Sequence, residues 1–99
     1  MSQEILSVAI YEALPGQEEA SLETIRDLFA ALNAAGYSRD RLYRDGKSHY
    51  IVVRYWKSEE SRRAALEDAA VQRCWAKLAH QIEIVKIYER LDEITLPPL

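Results

Sequence analysis

The chain has one cysteine, Cys74, in 99 residues. A lone thiol makes no internal disulfide and no cysteine-rich metal site. Long apolar runs are also missing. No stretch approaches the roughly 20 apolar residues that span a bilayer. Met1 to Glu4 shows neither the basic nor the apolar region of a secretory leader. These absences lead to the expectation of a cytoplasmic chain that does not engage a membrane. Positive charge is not in excess: the formal net charge is -3. A general nucleic-acid binder would carry a basic stripe, so no nucleic-acid partner is expected. Three chemistry-bearing patterns are absent as well: a Gly-rich phosphate loop, a zinc-type ligand cluster and a Gly-x-Ser-x-Gly elbow. The expected metal set and cofactor set are therefore both none. No repeat, linker or low-complexity segment interrupts the chain.

What is present suits one small domain with its own core, since 48% of the residues are hydrophobic. Residues 1–99 read as a single unit, with a core from about 4 to 92 and an extended tail from 93 to 99. Glu4 to Glu12 alternates as a strand and stops at Leu14-Pro15-Gly16. Gln17 to Ala35 places Leu22, Ile25, Phe29 and Leu32 on one helical stripe, widened by Leu28. Glu18 and Glu19 favour its positive end, and Gly36 suits a left-handed C-terminal stop. Tyr37 to Arg44 and Lys47 to Trp56 read as a hairpin through a two-residue Asp45-Gly46 turn. Ser58 looks like a helix N-cap, with Glu59 and Glu60 behind it. That helix runs to about Asp68, a second from Ala70 to Ala79, and a last strand from Gln81 to Leu91. The order β-α-β-β-α-β predicts an α+β, ferredoxin-like fold: an antiparallel sheet with the helices on one face.

The strands are apolar on both faces. Leu6, Val8 and Ile10 oppose Ile5, Ala9 and Tyr11. Tyr50 and Val52 oppose Ile51, Val53 and Tyr55. In the last strand, strict alternation sets Ile82, Ile84 and Tyr88 against Val85, Ile87 and Leu91. Helices cover only one face, and soluble monomers rarely leave the other exposed. The expected partner is a second copy of the chain.

Four stretches carry a resemblance: Ile5 to Gly16, the Glu-Glu-Ala start of the first helix, Tyr50 to Glu60 and Val71 to Ala76. In these, and over about Glu4 to Asp92, the chain resembles the antibiotic biosynthesis monooxygenase-like domains of the dimeric α/β-barrel group. The passage Trp56-x-Ser58-x-Glu60 is its most typical part. The resemblance implies a homodimer with a pocket between each sheet and its own helices. It also implies, as the leading function, cofactor-independent oxygenation of a small aromatic or quinol-type molecule. The alternative is a non-catalytic ligand-binding or accessory homodimer. In the haem-degrading branch, an Asn, a Trp and a His fall near Ala9, Ala65 and Trp75. None of the three types is retained, so haem chemistry is not expected.

The candidate residues follow. His80 ends a helical segment and is the candidate base, with a solvent-facing role as the alternative. Arg54 is a charge within an apolar strand. It either holds an anionic or enolate oxygen in the pocket, or takes an edge position or an ion pair with Glu12 or Glu83. Ser7 is a polar gap in the first strand. Trp75 is expected to line an aromatic pocket with Tyr11 or Tyr50, near Ala9, or else to pack on the sheet beside Cys74 and Leu78. Cys74 becomes reactive only if its pKa is lowered. The charges from Arg39 to Lys47 read as a solvated hairpin.

Overall fold

Local sequence signals set most element ends. In the computed structural model, residues 4–46 and 48–98 are described. The elements are β1 (Ile5–Ala13), α1 (Glu18–Ala34), β2 (Ser38–Arg44), β3 (His49–Trp56), α2 (Glu59–Glu67), α3 (Ala69–Leu78) and β4 (Ile82–Leu91). The four strands form one antiparallel sheet in the order β2-β3-β1-β4, and the helices lie on one face. The expected ferredoxin-like architecture is observed. Residues 92–98 extend beyond β4 without regular structure. Among the described residues, no helix is long and apolar enough to cross a membrane.

Gly36 closes α1 as its position suggests. It takes φ 73, which lets its own N–H reach Asn33 O at 2.9 Å and the Tyr37 N–H reach Leu32 O at 2.9 Å. These two bonds satisfy carbonyls that the helix end would otherwise leave bare. Ser58 caps α2 by accepting from the Ser61 N–H at 3.1 Å.

The buried face of α1 is rotated from the expected stripe. Ser21, Thr24, Ile25, Leu28 and Leu32 are buried, whereas Leu22 and Phe29 are only half-buried. Ser21 and Thr24 tolerate burial because their hydroxyls bond back to Glu18 O and Ala20 O at 2.8 and 3.1 Å.

Two expectations of register are corrected. The Asp45-Gly46 pair does not form a two-residue turn. The Asp45 N–H donates to His49 O at 3.2 Å, so the loop runs from 46 to 48, with Gly46 at φ 88. Asp45 brackets the loop mouth by accepting from the His49 N–H at 3.3 Å and lying 2.8 Å from its Nδ1. The strand therefore begins at His49; the proposed start at Lys47 lies outside the described residues.

Strict alternation also fails in β4. Ile84 pairs with Tyr11 and Lys86 with Ile10, so β4 has one extra residue there. The bulge switches parity. Ile87, opposite Ala9, joins Ile82 and Ile84 on the helix-covered side, and Tyr88, opposite Val8, moves to the other side.

Candidate functional site

The inner face of the sheet reads as successive rows. Ser7 faces Arg54, Ala9 faces Val52, and Tyr11 faces Tyr50. Rows two residues apart are separated by about 7 Å along the strands. The middle row is small. Above it, α1 supplies Leu28 and Phe29 and α3 supplies Trp75 and Leu78, while Arg62 and Leu66 of α2 close one end. A cavity of about 550 Å³ remains between sheet and helices, lined mainly by apolar side chains. The pocket implied between the sheet and its own helices is present.

One end of the floor is aromatic. Tyr11 is 1% exposed and stacks on Tyr50 with centroids 5.2 Å apart. The Tyr50 hydroxyl donates to Glu18 Oε1 and accepts from Arg44 Nη2 at 3.1 Å. The bond to Glu18, helped by burial, raises its pKa, while Arg44 opposes the rise. Among the described residues, the buried Tyr11 hydroxyl has no hydrogen-bond partner. Burial, with a smaller contribution from Tyr50, pushes its pKa far up, so the phenol stays neutral.

The other end is polar. Arg54 Nε donates to Asp40 Oδ1, and Asp40 Oδ2 accepts from Ser38 Oγ at 3.0 Å. The Arg54 guanidinium lies 5.3 Å from the Trp56 ring centroid. Trp56 Nε1 donates to Ser7 Oγ at 3.1 Å, and Ser7 Oγ donates in turn to the carbonyl of Glu89. Arg62 is held by both carboxylate oxygens of Glu59, at 3.1 and 2.7 Å. Glu59 chiefly, with Glu89 adding to it, keeps the Arg62 guanidinium charged.

The structure brings Ser7, Ala9, Tyr11, Arg54 and Trp75 together around the cavity. Tyr50 stands behind Tyr11 rather than in the lining. Arg54 pairs with Asp40, and not with Glu12 or Glu83. His80 is exposed beyond the end of α3, its N–H on Lys77 O at 3.2 Å, and is not among the cavity residues. Cys74 is half-buried, and burial, followed by the nearby Asp27, raises its thiol pKa. That is the opposite of what a reactive cysteine needs.

Sequence reasoning missed Asp40, Arg62, Leu66 and Glu89. Asp40 was accessible through hairpin register. A two-residue turn at Asp45-Gly46 sets Arg54 opposite Tyr37, whereas the longer loop sets it opposite Asp40. Among the described residues, no three His, Cys, Asp or Glu side chains converge as a cation site.

No protein-family model and no curated protein matches the sequence. Solved structures do. A single-site variant of SnoaB, a cofactor-independent oxygenase from Streptomyces nogalater, is similar with a TM-score of 0.79 at 17% identity, covering 98% of this chain and 100% of that one. A proposed antibiotic biosynthesis monooxygenase from Chloroflexus aurantiacus gives 0.77 at 18% identity, covering 96% and 98%. A protein of unknown function from Bacteroides thetaiotaomicron gives 0.78 at 12% identity, covering 90% and 99%. The chain thus has the fold of the antibiotic biosynthesis monooxygenase structures. Identities this low carry the fold and leave the chemistry to the site.

Proposed function

We propose that this chain is a homodimeric enzyme of the cofactor-independent monooxygenase type, acting on a small aromatic or quinol-type molecule. The observation that carries the reading is the cavity of about 550 Å³, which has an apolar middle and polar groups gathered at one end. Such a composition suits a flat ring with an oxygen at its edge. The fold shared with SnoaB, a cofactor-independent oxygenase, supports the reaction class. Oxygenation without a cofactor draws its electrons from the substrate. A methylene flanked by aromatic rings plus O2 gives a carbonyl plus water, and the balance closes without a further reductant. The step begins as the substrate carbon gives up a proton to solvent at the open mouth of the cavity, and that proton returns in the water formed with the carbonyl. The guanidinium of Arg54 stabilises the negative charge that appears on the conjugated oxygen. The apolar walls keep bulk water away from the reactive carbanion.

The position of His80 favours one further reading. With no imidazole in the cavity lining, the same pocket also suits a ligand-binding or accessory homodimer without catalysis. Oxygen uptake separates the two. Anthrone and a panel of hydroquinones should be consumed faster with the protein than without it. Ala9→Phe, which fills the middle of the floor, should abolish the difference, and His80→Ala should leave the rate unchanged. Uptake at the uncatalysed rate with every compound would remove the enzyme and leave the binding protein.

A further inference from the structure

His49 has a carboxylate at both ring nitrogens. Its Nδ1 lies 2.8 Å from Asp45 Oδ2, and its Nε2 lies 2.8 Å from Glu12 Oε1. A carboxylate oxygen only accepts, whereas a neutral imidazole offers one N–H and one lone pair. Both contacts are hydrogen bonds only when the ring carries two protons. The bond to Asp45 first, against the opposing effect of burial and with help from Glu12, raises the imidazole pKa above its ordinary 6.5. The two contacts differ in their hold. Asp45 sits at the other end of the same loop, and its Oδ1 also accepts from the His49 backbone N–H at 3.3 Å. Glu12 belongs to another strand and holds the ring by one bond. A neutral ring keeps its single N–H on Asp45 and turns a lone pair toward Glu12.

Glu12 has a second neighbour. It stands opposite His49 of β3 on one side and opposite Glu83 of β4 on the other, so the three residues form one row across the outer face of the sheet. Like charges directly opposite on neighbouring strands weaken the pair. The imidazolium offsets that repulsion; the neutral ring does not. The nearby cations on the described part of the sheet are directed elsewhere. Arg44 turns inward to Tyr50 and Glu18. Lys86, one row along and opposite Ile10, lies 5.4 Å from the Tyr88 ring centroid. The helices and their charges are on the opposite face. We propose that the row Asp45–His49–Glu12–Glu83 is a pH-operated latch on the start of β4: the doubly protonated ring holds β1 and β4 together at this end, and loss of one ring proton loosens them. Ile82 and Ile84, on either side of Glu83, line the cavity, so the latch acts on one edge of its wall whatever the cavity binds. The stabilisation is complete below the unfolded pKa of histidine and is lost as pH rises through the higher folded value.

Hydrogen exchange followed by NMR tests it, with the intrinsic pH dependence of exchange divided out. The amides that bond β1 to β4 within residues 11–13 and 82–84 are read at about pH 6 and about pH 9, on either side of the histidine titration. In the wild type their protection should fall about twofold to fivefold between the two, the scale of one cross-strand charge pair. His49→Leu, which has no ring donor, should show the lower protection at both pH values. Glu12→Gln, which removes the like charge opposite Glu83, should show the higher protection at both. Amides at residues 8 and 88, further along the same pair of strands, should hold their protection in all three proteins, which separates the latch from global unfolding. Wild-type protection that does not change with pH would overturn the inference. So would a fall that survives in either variant, or one shared by residues 8 and 88.

Discussion

Tyr11 shows how much one side chain of the cavity wall costs the protein. Its ring is buried and stacked on Tyr50, yet among the described residues its buried hydroxyl has no hydrogen-bond partner. A buried hydroxyl left without a hydrogen bond costs about 1–3 kcal/mol. Tyr50, stacked on it, has the same chemistry with the opposite outcome, because Glu18 and Arg44 satisfy its hydroxyl. Removing the two oxygens should therefore act in opposite directions. Tyr11→Phe should stabilise the ligand-free protein by about 1 kcal/mol, raising Tm by about 4–8 °C for a chain of this size. Tyr50→Phe should lower Tm. Thermal melts by circular dichroism give the ordering directly. A Tyr11→Phe protein less stable than wild type would mean that the hydroxyl is satisfied after all, and the site would lose its one orphaned polar group among these aromatics.

At the scale of elements, the junction of α2 and α3 depends on Asp68. Its N–H ends α2 on Ala65 O at 3.2 Å. Its Oδ1 opens α3 by accepting from the Ala70 and Val71 N–H groups at 2.9 and 3.3 Å. Its Oδ2 accepts from the Tyr37 hydroxyl at 2.8 Å, tying the helix layer to the chain just before β2. The Tyr37 bond first, and the backbone bonds with it, hold the Asp68 carboxyl below its ordinary value of 3.8. A depressed carboxyl stabilises the fold above its unfolded pKa, and the contribution is lost as pH falls through the folded value. Asp68→Asn retains a capping oxygen but no charge. Its urea midpoint should fall below that of wild type at pH 7, and the gap should close as the pH drops below about 4. A gap unchanged down to pH 3 would separate Asp68 from the acid response. Caps such as Ser58 and stops such as Gly36 were legible in the sequence because they act within a few residues of themselves. So was the element order, which follows from the two hydrophobic periods. What escaped was decided between strands. The extra residue of β4 between Ile84 and Lys86 moves Ile87 to the inner face, and the loop after Asp45 chooses Asp40 as the partner of Arg54. Neither leaves a mark in the pattern of a single segment. The cavity residues on β1 were readable from alternation, whereas Arg62 and Leu66 depended on where α2 settles.

The whole molecule is a slab, 17 Å through its thinnest direction, with a radius of gyration of 14.4 Å against about 13 Å for a compact chain of this length. One layer of helices covers one face of one sheet. On the other face Leu6, Val8, Ile10, Ile51, Val53 and Tyr55 are only half-buried. The edge strand β4 is open on both sides, with Ile84, Val85 and Ile87 at 47–50% exposed. A second copy packed on the open face would withdraw the side chains of Leu6, Val8, Ile10, Ile51, Val53 and Tyr55 from water. Burying roughly 400 Å² of apolar area per partner at about 25 cal/mol per Å² gives about 20 kcal/mol gross. That exceeds an association cost of about 4–15 kcal/mol. Val53 lies at the centre of the face, opposite Val8 on one side and Arg41 on the other. Val53→Glu would place a carboxylate in the contact, where pairing with the cross-strand Arg41 would still put a desolvated ion pair in place of an apolar contact. At about 10 μM, in the range where a stable dimer persists, the wild type should sediment at twice the 11.4 kDa chain mass, and Val53→Glu at the mass of one chain. Circular dichroism distinguishes a folded monomer from an unfolded chain, and Val8→Ser supplies a gentler change at the facing position that should weaken the dimer without a charge. A wild-type protein that stays monomeric, or a Val53→Glu protein that stays dimeric, would show that this face is not where two copies meet.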